Sequence, residues 1–410
     1  MSQFFPALAH TDVIGYLNDS GERRLASIRS LMPPGMSSRF LTSLSYNEEI
    51  HYDQSDGIGD PQSTQSIENH PIESVFVDCG AFHYTKMAVP RFKMGGYVSA
   101  KTAFREYQER HLTRGLDIPY LLCSPDHIIA PNTDDGVVER RREFTLTSAR
   151  IFIDLCDDVN NATAVGVVHG RNTKERAEMT RELVEIGYEY IAFGGLVPLS
   201  RNQAVVISQL TGSDHLSGHL SNVRIGENSP LGIAKAAGAK THLFGLNSPD
   251  WYRWSKRLGI DSFDGSKLST EGAVNGIIWV ENDFSIDEVP KDASALYRRL
   301  SVKNIDRRER VKNRALGHFE FSDDGGINPD NPAWEYLMSA RCTSPKCRHG
   351  PEAHNCDPRV TGSIEHNMGR TLLNAWTFDS LMEKIDRIYE ESKNSDDDNL
   401  VENWSPIEVE

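Results

Sequence analysis

The sequence contains no apolar run that approaches the length of about 20 residues needed by a membrane-spanning helix, so we expect no transmembrane segment. Its opening residues, MSQFFPALAH, lack the basic stretch and long apolar stretch of a secretory signal. No GxGxxG motif follows the first strand-like run, and no P-loop motif occurs, which disfavours dinucleotide and Walker-type sites. We therefore expect a cytoplasmic protein that does not bind a membrane.

Positive charge is also scarce, because 44 Lys and Arg face 59 Asp and Glu, for a formal net charge of −15. Taken alone, this balance argues against a nucleic-acid partner. Much of the excess acid lies in residues 391–410, which we expect to be a disordered tail. Basic clusters nevertheless occur, and they predict either phosphate contacts or ordinary solvated helix faces. They are Arg140–Arg142, Lys235–Lys240, Arg253–Arg257 and, above all, Arg298–Arg314.

Short apolar runs alternate with amphipathic helical patterns from residue 74 onward, which is typical of a parallel α/β sheet. The strand-like runs are Val75–Val77, Tyr120–Cys123, Ala164–Val168, Tyr190–Phe193, Thr241–Leu246 and the short run before Asp264. A strand is also expected near Leu41–Tyr46, followed by a polar loop over Asn47–His70.

The strand-like runs end in polar residues or glycines, namely Asp78, Asp126, His169, Gly194, Gly195 and Asp264. In a TIM barrel the loops after consecutive strands meet on one face and carry the chemistry, whereas an open sheet is decorated mainly at its switch point. We therefore predict a TIM (β/α)8 barrel. Alternation within LGIDSFDGS directs Ser262 and Asp264 to one side and Asp261 to the other, so Asp261 is assigned a structural role. Turn or capping roles remain the alternative for each acid.

Three cysteines and a histidine, Cys342, Cys347, Cys356 and His366, provide the ligand set of a structural zinc site. Such a site has no open position, so the metal would stabilise the fold rather than activate water. His349 and His354 lie in the same segment and are rival ligands, and free cysteines in a loop are the other possibility.

These motifs together resemble the tRNA-guanine transglycosylase superfamily over roughly residues 75–386. VDCGAF resembles its first catalytic-aspartate motif, GVVHG and YIAFGGL resemble two of its strand ends, and HLFGLNSPDWYRWSKRLGIDSFDGS resembles the segment that leads to its second aspartate. EHN at 365–367 matches the end of its zinc motif. The resemblance implies a TIM barrel with an inserted zinc-binding subdomain.

The sequence departs from that family at three points. The cysteines are more widely spaced, and His169 stands where a glutamine usually contacts the base. After Asp264 the family carries a Pro-Thr-Arg loop that recognises the anticodon, whereas this chain reads SKLSTEGAVNG. The pattern is therefore most similar to the DpdA-type DNA-guanine transglycosylases of 7-deazaguanine DNA modification systems.

The resemblance implies an exchange of guanine in DNA for 7-cyano-7-deazaguanine, with Asp264 as nucleophile and Asp78 as general acid and base. Two carboxylates about 5 Å apart suit such a retaining glycosyl transfer. Asp126 would bind the guanine edge, while His169 and the backbone of Gly194, Gly195 and Leu196 would read O6 and the 7-substituent. Phe82 would stack on the flipped base. Core-packing or capping roles are the alternatives for Asp126, His169 and Phe82.

The predicted organisation has four parts: an irregular or strand-forming segment at 1–73 that packs on the barrel, the barrel at 74–335, the zinc subdomain with a terminal helix at 336–390, and the acidic tail at 391–410. The expected partners are DNA, the free 7-deazaguanine base and other proteins of a DNA modification system. A tRNA-acting transglycosylase and a non-catalytic nucleic-acid-binding subunit remain alternatives.

Overall fold

The computed structural model describes residues 2–7, 13–17, 23–27, 32–45, 72–93, 95–114, 117–213, 223–275, 277–282, 290–301 and 364–409. Their strands, in chain order, are β1 (Gln3–Pro6), β2 (Val13–Leu17), β3 (Arg23–Ser27), β4 (Arg39–Ser43), β5 (Ser74–Asp78), β6 (Tyr120–Cys123), β7 (Ala162–Val168), β8 (Tyr190–Phe193), β9 (Lys240–Leu243), β10 (Ser262–Gly265), β11 (Ile277–Glu281) and β12 (Tyr297–Ser301).

Eight of these strands form one sheet in the order β1-β10-β9-β8-β7-β6-β5-β4. Every neighbouring pair in that sheet is parallel. A parallel bridge between Ala7 and Leu41 brings the two edges together beyond β1, so the sheet is nearly closed. Strands β2 and β3 form an antiparallel hairpin, as do β11 and β12. The predicted TIM barrel is confirmed at the level of this barrel-like sheet.

The helices are α1 (Pro34–Ser37), α2 (Ala81–Tyr84), α3 (Ala100–Arg110), α4 (Asp135–Asp157), α5 (Thr173–Ile186), α6 (Gln203–Thr211), α7 (Pro230–Ala236), α8 (Pro249–Arg257), α9 (Lys267–Ser269, followed by a π-helical turn at Thr270–Asn275), α10 (Ile364–Ser392) and α11 (Asp398–Trp404). Among the described residues, no helix is both long and apolar enough to cross a membrane.

Several helices of the barrel begin at residues whose side chains satisfy free backbone N–H groups. Asn172 accepts a hydrogen bond from the backbone N–H of Glu175, and Ser248 accepts one from Trp251 just before α8. Helix α5 ends at Gly187, which has a φ of 113°. Because that conformation is strained for residues with a Cβ, glycine permits the chain to turn directly into β8.

The amino-terminal segment differs from its prediction. We expected the barrel to start at residue 74, but β1 pairs with β10 and β4 pairs with β5, so two of the eight strands precede that boundary. Strand β1 has only four residues, and its hydrogen-bonding partner lies more than 250 positions later in the chain. The local pattern of apolar and polar residues therefore cannot predict that pairing.

The carboxyl-terminal residues also differ from the prediction of a disordered tail over 391–410. Helix α11 forms within them and is capped by Asp397, which accepts a hydrogen bond from the backbone N–H of Asn399. Leu400 and Trp404 are buried, and the indole N–H of Trp404 donates to the carbonyl of Pro290. Two apolar anchors therefore hold an otherwise acidic segment against the barrel.

One basic cluster serves this packing rather than phosphate binding. Arg253 donates to the carbonyls of Lys291 and Asn403, each at 2.8 Å, and Arg257 donates to the carbonyl of Glu402 at 2.7 Å. Both guanidinium groups are buried. The cations of α8 therefore satisfy backbone carbonyls that the folded carboxyl terminus brings to them.

The predicted loop at Asn47–His70 and residues 302–314 of the long basic stretch lie outside the described residues.

Trp404→Ala should destabilise the protein by about 3–5 kcal/mol, because it removes a buried indole that is only 1% exposed. Val401→Ala on the same helix should change stability by less than about 0.5 kcal/mol, since Val401 is 39% exposed. Urea unfolding of both variants measures the two values. Equal effects would contradict the assignment of Trp404 as the anchor of α11.

Candidate active site

Asp78 occupies the last position of β5, beside the last residue of β4. Its Oδ2 accepts hydrogen bonds from the hydroxyl of Ser43 at 3.0 Å and from the backbone N–H of Gly80 at 3.1 Å. Burial, followed by the nearby charge of Asp126 and more weakly that of Asp264, raises the Asp78 pKa to about 7. The two hydrogen bonds oppose this shift only in part. Asp78 can therefore bind and release a proton near neutral pH.

Asp126 follows β6 and is buried in a hydrogen-bond network. The Cys79 thiol donates to its Oδ1 at 2.9 Å, and the His169 Nε2 lies 2.5 Å from its Oδ2. Burial and the neighbouring carboxylates of Asp126 and Asp78 raise the pKa of the Cys79 thiol well above its usual value. The thiol thus stays protonated and acts as a donor.

His169 packs directly under the loop that follows β8. A Cβ at Gly194 would lie 2.5 Å from the His169 Cε1, and a Cβ at Gly195 would lie 3.2 Å from Nδ1. Only glycine fits at Gly194 while His169 remains in place. The Gly194 carbonyl accepts a hydrogen bond from the buried guanidinium of Arg176 at 2.8 Å, which fixes this loop. The side chain of Leu196, which follows Gly195, is buried.

Asp264 lies in β10 and is also buried. Its Oδ1 accepts a hydrogen bond from the backbone N–H of Gly245 at 2.8 Å and lies 3.2 Å from the His242 Nε2. Asp261 has a different role, because its Oδ2 accepts hydrogen bonds from the backbone N–H and the hydroxyl of Thr241 at the opposite end of β9. The structural role predicted for Asp261 agrees with these bonds.

The structure brings Asp78, Asp126, His169, Gly194, Gly195 and Asp264 to the carboxyl-terminal end of the barrel. Phe82 lies on α2 close to Asp78 in the chain and is 84% exposed, so its ring is not part of the core.

Sequence reasoning missed three residues of this end of the barrel: Cys79, Arg176 and His242. Cys79 directly follows the strand-end residue Asp78, and this position was a usable signal. Arg176 lies within an ordinary amphipathic helix pattern, which gives no sign that its guanidinium is buried. His242 lies in the strand-like run Thr241–Leu246. Its pairing with Ser262 depends on the register of β9 and β10, which the sequence does not show.

Metal binding within the described part of the chain has one candidate, because oxygen and sulfur atoms of Asp78, Cys79 and Asp126 lie within 4.8 Å of one another. The hydrogen bonds favour a metal-free network there. Metal ligation needs a thiolate, whereas the Cys79 Sγ donates to Asp126 and its pKa is raised.

The predicted zinc ligands Cys342, Cys347 and Cys356, and their rivals His349 and His354, lie outside the described residues. His366 falls within the backbone of α10.

The fold and this end of the barrel thus define an α/β barrel protein with three acids at its strand ends, of which Asp126 and Asp264 are buried and Asp78 is partly buried. The chain is 25% identical over 189 residues to a DNA-guanine transglycosylase of Salmonella montevideo. The match covers 46% of this chain and 39% of that protein, so the chain spans less than half of its relative's length. No family model matches the chain. The partial match supports the resemblance to the tRNA-guanine transglycosylase superfamily.

Asp78→Asn should gain stability relative to the wild type as pH rises from about 4 to about 8. The folded-state pKa of Asp78, about 7, lies above the ordinary aspartate value of 3.8, so the wild type loses stability as pH rises through this window. Asparagine does not titrate and escapes that loss. The difference in Tm between variant and wild type, measured across the range, should therefore grow with pH. A constant difference would contradict the raised pKa.

Proposed function

We propose that the protein exchanges guanine in DNA for a 7-deazaguanine base through a covalent sugar–enzyme intermediate. The observation that carries this proposal is the group of three acids at one end of the barrel, in which Asp126 and Asp264 are buried and the partly buried Asp78 has a pKa of about 7. Base exchange at a nucleoside needs one ionised carboxylate as nucleophile and one group that exchanges a proton near neutral pH.

The first half of the reaction uses Asp264 as nucleophile. Its carboxylate forms a bond to C1′ of the nucleotide while the bond from C1′ to guanine N9 breaks. Protonated Asp78 donates its proton to the departing guanine. In the second half, Asp78 accepts the N9 proton of the incoming base, N9 attacks C1′, and Asp264 leaves as a carboxylate. The proton that Asp78 gives to guanine in the first step is thus replaced by the proton that it takes from the incoming base in the second.

Asp126 is the proposed partner of the guanine edge. Guanine offers two neighbouring donors, N1–H and the exocyclic amine, and a carboxylate accepts such a pair bidentately. Cys79 and His169 already donate to Asp126, but each carboxylate oxygen has two acceptor positions, so both oxygens retain one for the base. The two protein bonds fix the orientation of the carboxylate before the base arrives.

Recognition of O6 and the 7-substituent is assigned to the loop Gly194–Leu196. A neutral His169 that donates from Nε2 to Asp126 leaves Nδ1 as an acceptor, and O6 is an acceptor too. His169 would therefore contact O6 directly only as an imidazolium. Its principal role in the proposal is to orient Asp126. Phe82, with its exposed ring, is proposed to stack on the extruded base.

DNA is preferred over tRNA because of the segment after Asp264. Where the resembling family carries an anticodon-recognising loop, residues 266–275 form α9 and the π-helical turn. Glu271 in this segment is buried, accepts a hydrogen bond from the indole of Trp279 and pairs with Arg299 at 2.6 Å. We infer that a segment anchored in this way does not serve as an anticodon-recognising loop. A tRNA-acting enzyme with another recognition surface is the second candidate.

A structural zinc held by Cys342, Cys347, Cys356 and His366 is part of the proposal, with the surrounding residues 336–390 as its subdomain. Three thiolates and one imidazole fit zinc well, and the metal would contribute folding free energy rather than chemistry.

Nucleoside mass spectrometry tests the substrate. Cells that express the protein and are supplied with 7-cyano-7-deazaguanine should accumulate the deazaguanine nucleoside in DNA. Cells that express Asp264→Asn should not accumulate this nucleoside, because the substitution removes the nucleophile while leaving a side chain of similar size in β10. Incorporation only into tRNA would overturn the DNA assignment, and incorporation into neither polymer would overturn the proposed activity.

Metal analysis tests the zinc site. Cys347→Ser should lower both the bound zinc and the thermal stability, because it removes one of four ligands. Cys156→Ser is the matched control, since Cys156 is a buried free cysteine of α4 and its loss should leave the zinc content unchanged. Full zinc retention in Cys347→Ser would contradict this ligand set.

A further inference from the structure

A chain of buried polar side chains runs through the barrel interior to Asp264. The hydroxyl of Tyr190 on β8 lies 2.7 Å from the hydroxyl of Ser262 on β10, and Ser262 lies 2.7 Å from Nδ1 of His242 on β9. The His242 Nε2 lies 3.2 Å from the Asp264 Oδ1. All four side chains are buried. Burial of a polar group costs free energy unless the group is hydrogen-bonded. Each hydrogen bond in this series therefore has a defined donor and a defined acceptor.

The direction of donation follows from the last link. An ionised Asp264 only accepts hydrogen bonds, so His242 must donate to it from Nε2. A neutral imidazole then has an acceptor at Nδ1, and Ser262 must donate to that atom. Because the Ser262 proton is committed there, Tyr190 donates to Ser262. The hydrogen bond from the Tyr190 phenol is therefore compatible with, and supports, the Nε2–H tautomer of His242 that Asp264 requires.

The His242 ring is held in place by its neighbours. It stacks on Phe76 with ring centroids 4.2 Å apart and packs edge-on against Phe244 at 4.8 Å. Burial lowers the pKa of His242, although the nearby Asp264 carboxylate opposes that shift. The lowered pKa favours the neutral ring, which carries the single proton that the donation pattern requires.

The two oxygens of Asp264 are consequently not equivalent. Oδ1 receives the Gly245 backbone N–H and the His242 Nε2–H. In the part of the chain that the structure describes, no side chain or backbone group bonds to Oδ2. We propose that Tyr190, Ser262 and His242 form a positioning chain that holds Oδ1 of Asp264 and leaves Oδ2 to attack C1′. This inference rests on the proposed function of Asp264.

No proton moves along this chain during the reaction. When the bond from Oδ2 to C1′ forms and the bond from C1′ to the departing base breaks, Oδ1 becomes the carbonyl oxygen of the ester. It continues to accept the same two hydrogen bonds. When the incoming base displaces the ester, these two donors stabilise the carboxylate that is released.

Tyr190→Phe tests the chain without altering a group that touches the substrate. Tyr190 borders a small cavity at the amino-terminal end of the barrel, where Arg39 and Lys240 also lie, and it has no direct bond to Asp264. Losing its hydroxyl removes the hydrogen bond that Ser262 accepts, and this weakens the hydrogen bond that Ser262 donates to His242. The single-turnover rate of covalent adduct formation with guanine-containing DNA should fall about fivefold, the equivalent of one neutral hydrogen bond, with the KM for the free base unchanged.

Tyr188→Phe is the matched control. It also removes a buried tyrosine hydroxyl, one that donates to the carbonyl of Ala149 at 2.9 Å outside the chain. Its adduct rate should stay within about twofold of the wild type, since a merely structural loss would affect both variants alike. Equal rates in the two variants would overturn the positioning chain. Ser262→Ala provides a second interruption of the same chain and should slow the reaction similarly.

Nitrogen NMR of protein labelled with ¹⁵N-histidine gives a readout that needs no nucleic acid. The His242 resonances, assigned by their loss in His242→Gln, should have the pattern of a neutral Nε2–H tautomer in the wild type, and the Nδ1 resonance should shift in Tyr190→Phe, but not in Tyr188→Phe, because the hydrogen bond from Ser262 weakens. An Nδ1–H tautomer or an imidazolium at neutral pH would overturn the inference. If no adduct forms in the wild type but the tautomer is as expected, the proposed function fails while the hydrogen-bond chain stands.

Discussion

Removal of three carboxyl groups from water at one end of a barrel, fully for Asp126 and Asp264 and partly for Asp78, is the constraint on which the rest of this site depends. Each acid loses water and lies near the others, so each needs donors from the protein. Asp78 receives Ser43 and Gly80, Asp126 receives Cys79 and His169, and Asp264 receives Gly245 and His242. The donors come from strands and from the first residues of the loops. The rigid part of the fold therefore sets the geometry of all three acids.

Differences among these donors give the acids separate properties. The two hydrogen bonds to Asp78 do not offset its loss of water and the repulsion from Asp126, so the pKa of Asp78 rises to about 7. Asp264 is held through a single oxygen. When neighbouring carboxyl groups have different surroundings, one of them can act as an acid while the other acts as a nucleophile. In the proposed reaction, Asp78 moves the proton and Asp264 forms the bond to the sugar.

The sequence alone predicted the barrel and which strand ends carry its acids, because parallel strands from β5 onward alternate with helices and finish in polar residues. The inward direction of Ser262 and Asp264 followed from the period of a strand. The roles of β1, Arg253 and Trp404 could not be predicted, because each depends on a partner far along the chain. The sequence placed His242 on a strand, but its bonds to Ser262 and Asp264 arise only from the register of neighbouring strands.

The central claim is that Asp264 forms a covalent bond to the sugar of a guanine nucleotide in DNA. The most direct measurement denatures the protein during reaction with a guanine-containing duplex and locates the sugar-linked residue by peptide mass spectrometry. The account predicts an ester on Asp264 that disappears in Asp264→Asn and persists in Asp261→Asn, because the Asp261 side chain accepts hydrogen bonds from Thr241 of β9. An ester on another residue, or an undiminished adduct in Asp264→Asn, would contradict it.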